Sequence, residues 1–572
     1  MPKILSSFSF LNITQLLTAL NDNLYKLLLV FFLISLQGTE HSNTILSLAG
    51  AVFVIPFLLF AALAGSLADR FSKRSIIYLT RITEILTTCL GVVAFFFHSI
   101  IGAYAVLFLM ATQSALFSPC KYGIIPEIVP AKKISHCNGI ITATTYLAII
   151  VGTFLASFLT DITQQNFILA ASICVFVAFL GLLSCLGIEK TKAQAARKKV
   201  SVRFLYDIFK TLQKARQQRY LLTTLIFGAY FLFMGSYTQL NIIPFTLQSL
   251  HLSEVQGGYL FLMTAIGIGI GSYVAGQLSG REVELGFIPL ATFGIALCYL
   301  GLFIFSAHFF VVVPLLICLG MCGGFYIVPV DAFIQIASPD NDRGQNVAAS
   351  NFLSFVGVII ASGLLALLGN GLKLSAAEGF FYVGIATCCV GIVLALLYAD
   401  QVVRLLAFFW SRLFLNIRIW GKGRIPQKRA VVFIAPRASW LDTLILMSIL
   451  PRRIHYIVPQ KAGRPFWLYS LLRLIPIEME RHASLSLPTL DAIRNELASG
   501  NSVCLMHPIM DASKSIQEWE TQLDTLLQAL PAPVMPIHIV KDSHMQKRGR
   551  VRQFLSLRGI SIKVSYGALR DY

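Results

Sequence analysis

The sequence predicts an all-α membrane domain of twelve transmembrane helices, arranged as two repeats of six, followed by a smaller cytoplasmic α/β domain. Two observations support this prediction: a low content of charged residues and a change of composition near residue 400. Of the 572 residues, 56% are hydrophobic and 13% are charged, whereas soluble proteins contain about 25% charged residues. Before Asp400, 22 Lys and Arg residues stand against 15 Asp and Glu residues, and from Asp400 onward 24 stand against 12. We therefore predict a membrane domain at 1–400, a basic amphipathic interfacial helix at 401–423 and an α/β domain at 424–572.

Twelve apolar runs before residue 400 are long enough to cross a membrane, since a helix needs about 20 apolar residues to span the hydrocarbon core. The segment 189–219, with ten Lys and Arg against two acidic residues, divides them into halves at about 8–188 and 220–399. We predict a solvated linker there, with attraction to anionic lipid as an open alternative. The runs lie near residues 10–36, 44–67, 75–98, 101–119, 137–160, 166–188, 220–248, 256–278, 286–306, 309–331, 345–369 and 377–399.

Lys and Arg are concentrated in alternate loops, which indicates how the chain is oriented. The loops at 69–74, 130–133, 189–219, 280–284 and 340–344 contain them, and the intervening loops contain almost none. Positively charged loops remain in the cytoplasm. Both termini and the domain after residue 400 are therefore predicted to be cytoplasmic.

The sequence indicates no metal site and no cofactor. The eleven cysteines are scattered without zinc-binding spacings, and no Walker-type phosphate loop is present. The glycines of GIGIGS, at 267, 269 and 271, lie within a span, and we interpret them as helix-packing positions. The net charge of +19 favours anionic lipid surfaces. No nucleic-acid-binding motif accompanies this charge, so no nucleic-acid partner is predicted.

The two halves contain repeated motifs that resemble those of a known family. GSLADRFSKR from Gly65 matches GQLSGREVE from Gly276, and FSPCKYGIIPEIVP from Phe117 matches FYIVPVDAFIQIAS from Phe325. The first of these stretches resembles the signature loop of the major facilitator superfamily. Together with NDNLYK (21–26), FSPCKYGIIPE (117–127) and GGFYIVPVDAFIQ (323–335), it makes residues 8–399 resemble the bacterial lysophospholipid transporters, including those fused to acyltransferases.

This resemblance implies a site near the membrane midplane between two helix bundles, in a protein of the bacterial cytoplasmic (inner) membrane. It also implies a cytoplasmic gate formed by Asp69, Arg70 and Arg281. Polar residues inside apolar spans are costly and usually face the bundle interior. The candidate substrate-binding residues are Asn21, Asp22, Asn23, Lys26, Gln113, Lys121, Glu127, Asp331 and Gln335.

Two interpretations of these polar residues are open. Asp22 pairs with Lys26, four residues along the same helix, or with Lys121, and the pair fixes two helices together. Alternatively, the same residues bind a lipid headgroup, because phosphoethanolamine contains one anion and one cation that an Asp–Lys patch complements. For Glu127, Asp331 and Gln335 the alternative to a substrate role is helix capping and gate pairing.

The region after residue 400 alternates strands and helices. We predict strands at 430–436, 453–459, 502–508 and 534–540, and a helix at 487–499. Their order and spacing resemble a glycerolipid (phosphate) acyltransferase domain, which carries N-H-x-S-x-x-D after its first strand. In that family the His is the general base and the Asp orients it.

The catalytic motifs of this family are altered here. The stretch PRASWLD keeps Ser439 and Asp442 but has Arg437 at the His position, and arginine stays protonated above pH 12 and cannot act as a base. The stretch IPIEMER keeps the phosphate-binding Arg481, whereas HPIMDAS (507–513) lacks the Glu-Gly pair of the family. We expect an inactive domain in which Arg437, Ser439 and Arg481 still bind phosphate.

Three functions therefore remain in competition. The first is transport of lysophospholipids such as lysophosphatidylethanolamine from the outer to the inner leaflet. The second adds reacylation by the C-terminal domain, with Asp442 as a catalytic residue and acyl carrier protein or acyl-CoA as donor. The third is facilitated transport of a small soluble solute.

Overall fold

The structure is a computed structural model in which the chain divides into two compact units, Met1–Gly391 and Ile392–Tyr572. The described residues are 2–38, 42–192, 204–218, 220–252, 254–279, 283–420, 426, 429–437, 440–450, 454–459, 474–477, 487–498, 502–508, 532–541 and 560–566.

The membrane part is all-helical, and its 12 long apolar helices confirm the twelve predicted spans. Among the described residues, two further α-helices interrupt the series: the short α5 (Ile125–Ile128) and α8 (Phe204–Ala215), which lies in the segment predicted as a solvated linker. The spanning helices are α1 (Pro2–Gln37), α2 (Ser42–Arg70), α3 (Lys73–Phe96), α4 (Ile100–Gly123), α6 (Ile134–Ile162), α7 (Phe167–Cys185), α9 (Leu221–Ser249), α10 (Glu254–Leu278), α11 (Phe287–Ile304), α12 (Phe309–Ala337), α13 (Arg343–Ala366) and α14 (Ala376–Leu397).

Glycines allow the backbones of α10 and α12 to touch. A Cβ atom at Gly267 would lie 2.2 Å from the carbonyl oxygen of Ile317, and one at Gly271 would lie 2.2 Å from that of Met321. The predicted packing role of GIGIGS is confirmed at these two positions. Gly269 differs, because its Cβ would meet only the carbonyl oxygen of an α6 residue, at 3.9 Å.

The two halves meet closely at one end of the bundle, called here the basic end, where Arg70, Lys73 and Arg343 lie. At this end α2 packs against α13, and a Cβ at Gly65 would lie 2.7 Å from the Ala348 Cβ. The helices α10 and α6 correspond to α2 and α13 in the sequence repeat. They also pack together, since a Cβ at Gly139 would lie 2.5 Å from the Ser272 carbonyl oxygen. Small residues thus form two equivalent contacts between the halves.

The described residues of the second unit form the elements α15 (Ala399–Phe414), β1 (Leu415–Trp420), β2 (Val432–Arg437), α16 (Trp440–Ile449), β3 (Ile454–Pro459), β4 (Leu474–Ile477), α17 (Leu487–Ala498), β5 (Ser502–Pro508), β6 (Val534–Lys541) and β7 (Ile560–Tyr566). These described strands form a seven-stranded sheet in the order β1-β7-β6-β2-β5-β3-β4, so the unit is an α/β domain. All strand pairs are parallel except β6 with β7. The predicted strands correspond to β2, β3, β5 and β6, and the predicted helix to α17; β1, β4 and β7 were not predicted.

The prediction of one amphipathic helix over 401–423 is wrong beyond Phe414, because the chain continues there as strand β1. The stretch LNIRIW alternates apolar and other residues with the period of two that suits a strand. Ile417 and Ile419 pack against the domain core around Phe433, and so do Trp410 and Phe414 of α15. Part of the apolar face of α15 is therefore covered by its own domain.

Candidate functional site

Asp22 lies on α1 and is held by a serine of α4. The Ser114 hydroxyl donates a hydrogen bond of 2.6 Å to Asp22 Oδ2, while Asp22 Oδ1 is buried without a partner among the described residues. Within the same residues, no Lys or Arg nitrogen lies within 4.0 Å of the Asp22 carboxylate. The predicted direct pairing with Lys26 or Lys121 is therefore not formed in this structure.

The two candidate lysines instead lie over aromatic rings. Lys26 Nζ is 5.3 Å from the ring centroid of Phe53 on α2, and Lys121 Nζ is 4.5 Å from that of Tyr122. Both are cation–π distances. Such contacts orient an ammonium group without supplying an opposite charge.

Lys121 interacts electrostatically with one carboxylate from each half of the bundle. These are Asp331 of α12 and Asp22 of α1. All three side chains are partly exposed. Charges of alternating sign are therefore contributed by α1, α4 and α12, and sequence reasoning had placed each of them in the candidate site.

Behind Asp22, α3 contributes a buried ion pair that sequence reasoning missed. Arg81 is 0% exposed and Glu84 is 1% exposed. The Arg81 guanidinium donates to the Glu84 carboxylate and to the Thr18 hydroxyl, and to Gln113 Oε1 at 3.0 Å. It also lies 4.5 Å from the ring centroid of Phe117. This pair links α3 to both α1 and α4.

A continuous chain of hydrogen bonds joins this ion pair to Asp22. Gln113 accepts from Arg81 and donates 3.0 Å to Ser114 Oγ, which in turn donates to Asp22. Asn21 Nδ2 donates 2.9 Å to Glu84 Oε1. Asn21 and Gln113 were predicted to bind substrate; the structure places them inside this buried network, where they support Asp22.

The remaining asparagine of the triplet makes a local contact. Asn23 Nδ2 donates 2.7 Å to the carbonyl oxygen of Ala19, one turn earlier on α1. Its side chain is partly exposed. Of the three residues in NDN, only Asp22 combines a formal charge with an unpartnered oxygen in the described part of the chain.

Glu127 lies at the basic end rather than beside Asp22. Its Oε1 accepts a hydrogen bond of 2.6 Å from Lys73 Nζ, in an ion pair whose side chains are 9% and 0% exposed. A cleft of about 330 Å³ opens beside Glu127 and is also lined by Asp340 and Arg343. The position of Glu127 agrees with the prediction that it forms a gate pair instead of binding substrate.

Asp69 joins the two halves at the basic end. Its Oδ1 accepts 2.6 Å from the backbone N–H of Gly344, and its Oδ2 accepts 3.2 Å from that of Gln345. These groups are at the first turn of α13, where free N–H groups and the helix dipole favour a carboxylate. Arg70 lies 5.3 Å from the Phe71 ring centroid, and Arg281 is outside the described residues.

Gln335 takes part in a second contact between the halves. It exchanges hydrogen bonds of 3.0 and 2.8 Å with Asn138 of α6, so the two side-chain amides pair reciprocally. Arg343 Nε donates 2.9 Å to the Gln335 carbonyl oxygen. Gln335 therefore helps to hold the two halves together. Asp331, one turn earlier on α12, instead interacts with Lys121.

In the second unit, two of the stretches that were compared with acyltransferase motifs lie at neighbouring strand ends. Arg437 ends β2, Pro508 ends β5, and the two residues are register partners in adjacent parallel strands. Asp442 follows in α16. The side chains of Arg437 and Asp442, and the residues Ser439 and Arg481, are outside the described part. Ligands commonly bind beyond the carboxyl ends of parallel strands.

Comparison with known proteins gives two kinds of match. Lysophospholipid transporter LplT of Klebsiella pneumoniae is 26% identical over 410 residues, 70% of this chain and 94% of its own. LplT of Salmonella heidelberg is 27% identical over 374 residues, 62% of this chain and 85% of its own. The solved structures of the human organic anion transporter MFSD10 (TETRAN) and of the transporter FucP in the outward conformation both superpose with a TM-score of 0.57. They are 14% and 13% identical and cover 69% of this chain, with 100% and 99% of their own chains matched.

The family follows from a match that covers most of the membrane part. The family model described as Major Facilitator Superfamily matches residues 11–362. The two solved structures show the same fold, and the described residues form the 12 spanning helices in two halves that this fold requires. The chain belongs to the Major Facilitator Superfamily.

Proposed function

We propose that this protein transports lysophospholipids across the bacterial cytoplasmic membrane, from the outer to the inner leaflet, through the space between its halves. The observation that carries the proposal is the row of charges formed by Asp22, Lys121 and Asp331, none of which has an ion pair within 4.0 Å among the described residues. Relatives named lysophospholipid transporter support the choice of substrate.

The charges of this row suit a zwitterionic headgroup. A lysophosphatidylethanolamine headgroup has one phosphate and one ammonium group. In the proposed role Lys121 attracts the phosphate, and Asp22 and Asp331 attract the ammonium group. Charge-assisted hydrogen bonds of this kind are about twice as strong as neutral ones, so this row could hold a headgroup at membrane depth.

The closed basic end suggests the direction from which the lipid enters. The positively charged loops assign this end to the cytoplasm, where Asp69 and the Asn138–Gln335 pair join the halves. In this state the headgroup would enter from the outer side. Release to the inner leaflet would then require these polar contacts to break and the halves to rock apart, as in other transporters with repeated halves.

We propose that the C-terminal unit is an acyltransferase-like module without acyl-transfer activity. Arg437 stands where the related enzymes have their general base, and a guanidinium group cannot accept the proton of an acceptor hydroxyl. Arg437, Ser439 and Arg481 would retain the ability to bind a phosphate group, which suits a docking or regulatory role toward the transported lipid.

Uptake of labelled lysophosphatidylethanolamine by proteoliposomes containing the full chain tests the transport function. We expect uptake by the unmodified protein, and at least a tenfold loss in Asp22→Asn and in Lys121→Ala with normal folded yield. Matched controls are Asp161→Asn and Lys373→Ala, which remove the same charges at exposed positions and should leave uptake unchanged. Normal uptake in both site variants would refute the role of the charge row.

The same vesicles distinguish the alternatives. Supplied with acyl-CoA or acyl-loaded carrier protein, the unmodified chain should form no diacyl product. Product formation that disappears in Asp442→Ala would instead establish the bifunctional protein. Absence of lysolipid uptake by correctly folded protein would favour the facilitator of a small soluble solute.

A further inference from the structure

Helix α8 connects the two halves by lying across both of them. Its residue Ile208 packs in one apolar cluster with Ala62 of α2 and Ala349 of α13, with Leu212 and Phe352 at the edge. The side chains of Ile208, Thr211 and Ala215, on one face of the helix, are 5%, 5% and 2% exposed. One side of α8 therefore covers the line along which α2 meets α13, called here the α2–α13 seam.

A second side of α8 is apolar and exposed. Leu205, Tyr206 and Phe209 are 60%, 60% and 66% exposed. At 100° per residue, Leu205 and Phe209 share one face and Tyr206 adjoins it. Three large apolar side chains on one short helix would be unfavourable in water, because each exposed large side chain forgoes about 1.5–3 kcal/mol of burial free energy.

A third side of α8 contains two lysines and Asp207, so it is basic on balance. Lys210 and Lys214 project about 100° beyond the apolar side, and Arg216 follows the last residue of the helix. Lys214 forms an ion pair of 3.4 Å with Asp342, just before α13, while Lys210 and Arg216 are exposed. A helix with adjoining apolar and basic sides is the type that lies in a membrane interface.

The depth of α8 along the bundle matches the position of a lipid headgroup layer. Helix α2 has 29 residues and is about 44 Å long, close to the 40–45 Å thickness of a bilayer with its headgroups. Ala62 lies about 12 Å from the basic end of α2, and Ala349 about 9 Å from that of α13. The exposed apolar side thus lies near the boundary between headgroups and hydrocarbon.

We propose that α8 binds the anionic lipid surface of the leaflet at the basic end and acts as a strap across the α2–α13 seam. Its apolar side enters the leaflet and its basic side contacts lipid phosphates, each charge near the surface contributing about 1 kcal/mol. Since α8 contacts both halves, lipid that holds α8 in place favours the closed basic end. Separation of α2 from α13 then requires α8 to leave one of them.

Hydrogen–deuterium exchange of the full chain in nanodiscs tests this proposal. Backbone exchange in residues 204–218 is compared between phosphatidylcholine alone and phosphatidylcholine with about one third phosphatidylglycerol. We expect at least fivefold slower exchange in the anionic nanodiscs. Lys210→Gln with Arg216→Gln should abolish the difference between the two lipids, and Leu205→Ser with Tyr206→Ser and Phe209→Ser should raise exchange in both.

The matched control is Lys132→Gln with Lys133→Gln, which removes two positive charges from the same end without altering α8. This variant should keep the lipid dependence. Equal exchange of residues 204–218 in both nanodiscs would overturn the proposal, and so would the same loss of lipid dependence in the control. The readout does not involve transport, so the proposal fails or stands separately from the proposed function.

Discussion

Arg81 and Glu84 place a full positive and a full negative charge inside the helix bundle. Removing such ions from water costs several kcal/mol each, and their mutual attraction offsets this cost only when further hydrogen bonds complete the arrangement. Thr18, Asn21 and Gln113 provide those bonds here. Gln113 also donates a hydrogen bond to Ser114, which donates to Asp22. The ion pair therefore also orients the carboxylate of the candidate site.

Single changes in this ion pair should destabilise the protein more than the double change. Arg81→Met leaves the Glu84 carboxylate buried without its cation, and Glu84→Gln leaves Arg81 without its anion; each should cost about 3–5 kcal/mol. Arg81→Met combined with Glu84→Leu removes both charges and should recover folded yield. Thermal unfolding in detergent, followed by size-exclusion chromatography, measures the effect.

Uptake by the double variant then separates stability from function. We expect this variant to fold and to lose most uptake, because Gln113 and Ser114 no longer hold Asp22 in one orientation. Full uptake by the double variant would show that the network serves folding alone. Single variants as stable as the unmodified protein would show that the charges are not paired as described.

Sequence reasoning found Asp22 because a carboxylate in an apolar run is costly. The same argument applies to Arg81 and Glu84 in the run 75–98, so these residues could also have been predicted from the sequence. The hydrogen-bond partner of Asp22 could not have been predicted in this way. Ser114 lies 92 residues away on α4, a serine is unremarkable in a span, and the spacing rule that pointed to Lys26 ignores the competing Phe53 ring.

At the scale of elements, the spans were predictable because length and hydropathy decide them locally. Strand β1 was not, since its neighbour β7 begins at Ile560 and the basic, aromatic context of LNIRIW resembles the helix before it. The helix α8 was also missed, because a basic composition alone suggests a solvated linker. In both cases the deciding contact is with residues far away in the sequence.

The contact between α10 and α12 leads to a prediction at this scale. Gly271→Ala places a Cβ 2.2 Å from the Met321 carbonyl oxygen, so the helices must move apart, at a cost of about 1–3 kcal/mol. Gly269→Ala is the matched control, because its Cβ would have 3.9 Å of space and alanine favours a helix. The melting temperature should fall for Gly271→Ala and stay or rise for Gly269→Ala. Equal melting temperatures would argue against direct backbone contact.

For the whole membrane unit, the balance between closed and open states depends on few polar contacts. Asp69 binds two backbone N–H groups of α13, and Asn138 and Gln335 share two hydrogen bonds. A hydrogen bond to a charged group contributes about 1.5–3 kcal/mol, which is comparable with the free-energy differences between states of a transporter. Contacts of this size hold one state without trapping the protein in it.

Asp69→Asn should therefore shift the membrane unit toward a state with an open basic end. The amide keeps the shape of the carboxylate but loses its charge, and a loss of about 1.5–3 kcal/mol corresponds to a change of about 10- to 150-fold in the ratio of states. Double electron–electron resonance spectroscopy can measure the distance between genetically encoded spin labels at Ser72 and Asn341. This distance should be longer in the variant than in the unmodified protein. Asp161→Asn, which removes a carboxylate at the opposite end of α6, should leave the distance unchanged. If Asp69→Asn also leaves it unchanged, the Asn138–Gln335 pair and the glycine contacts suffice to keep the halves together, and opening must depend on breaking those instead.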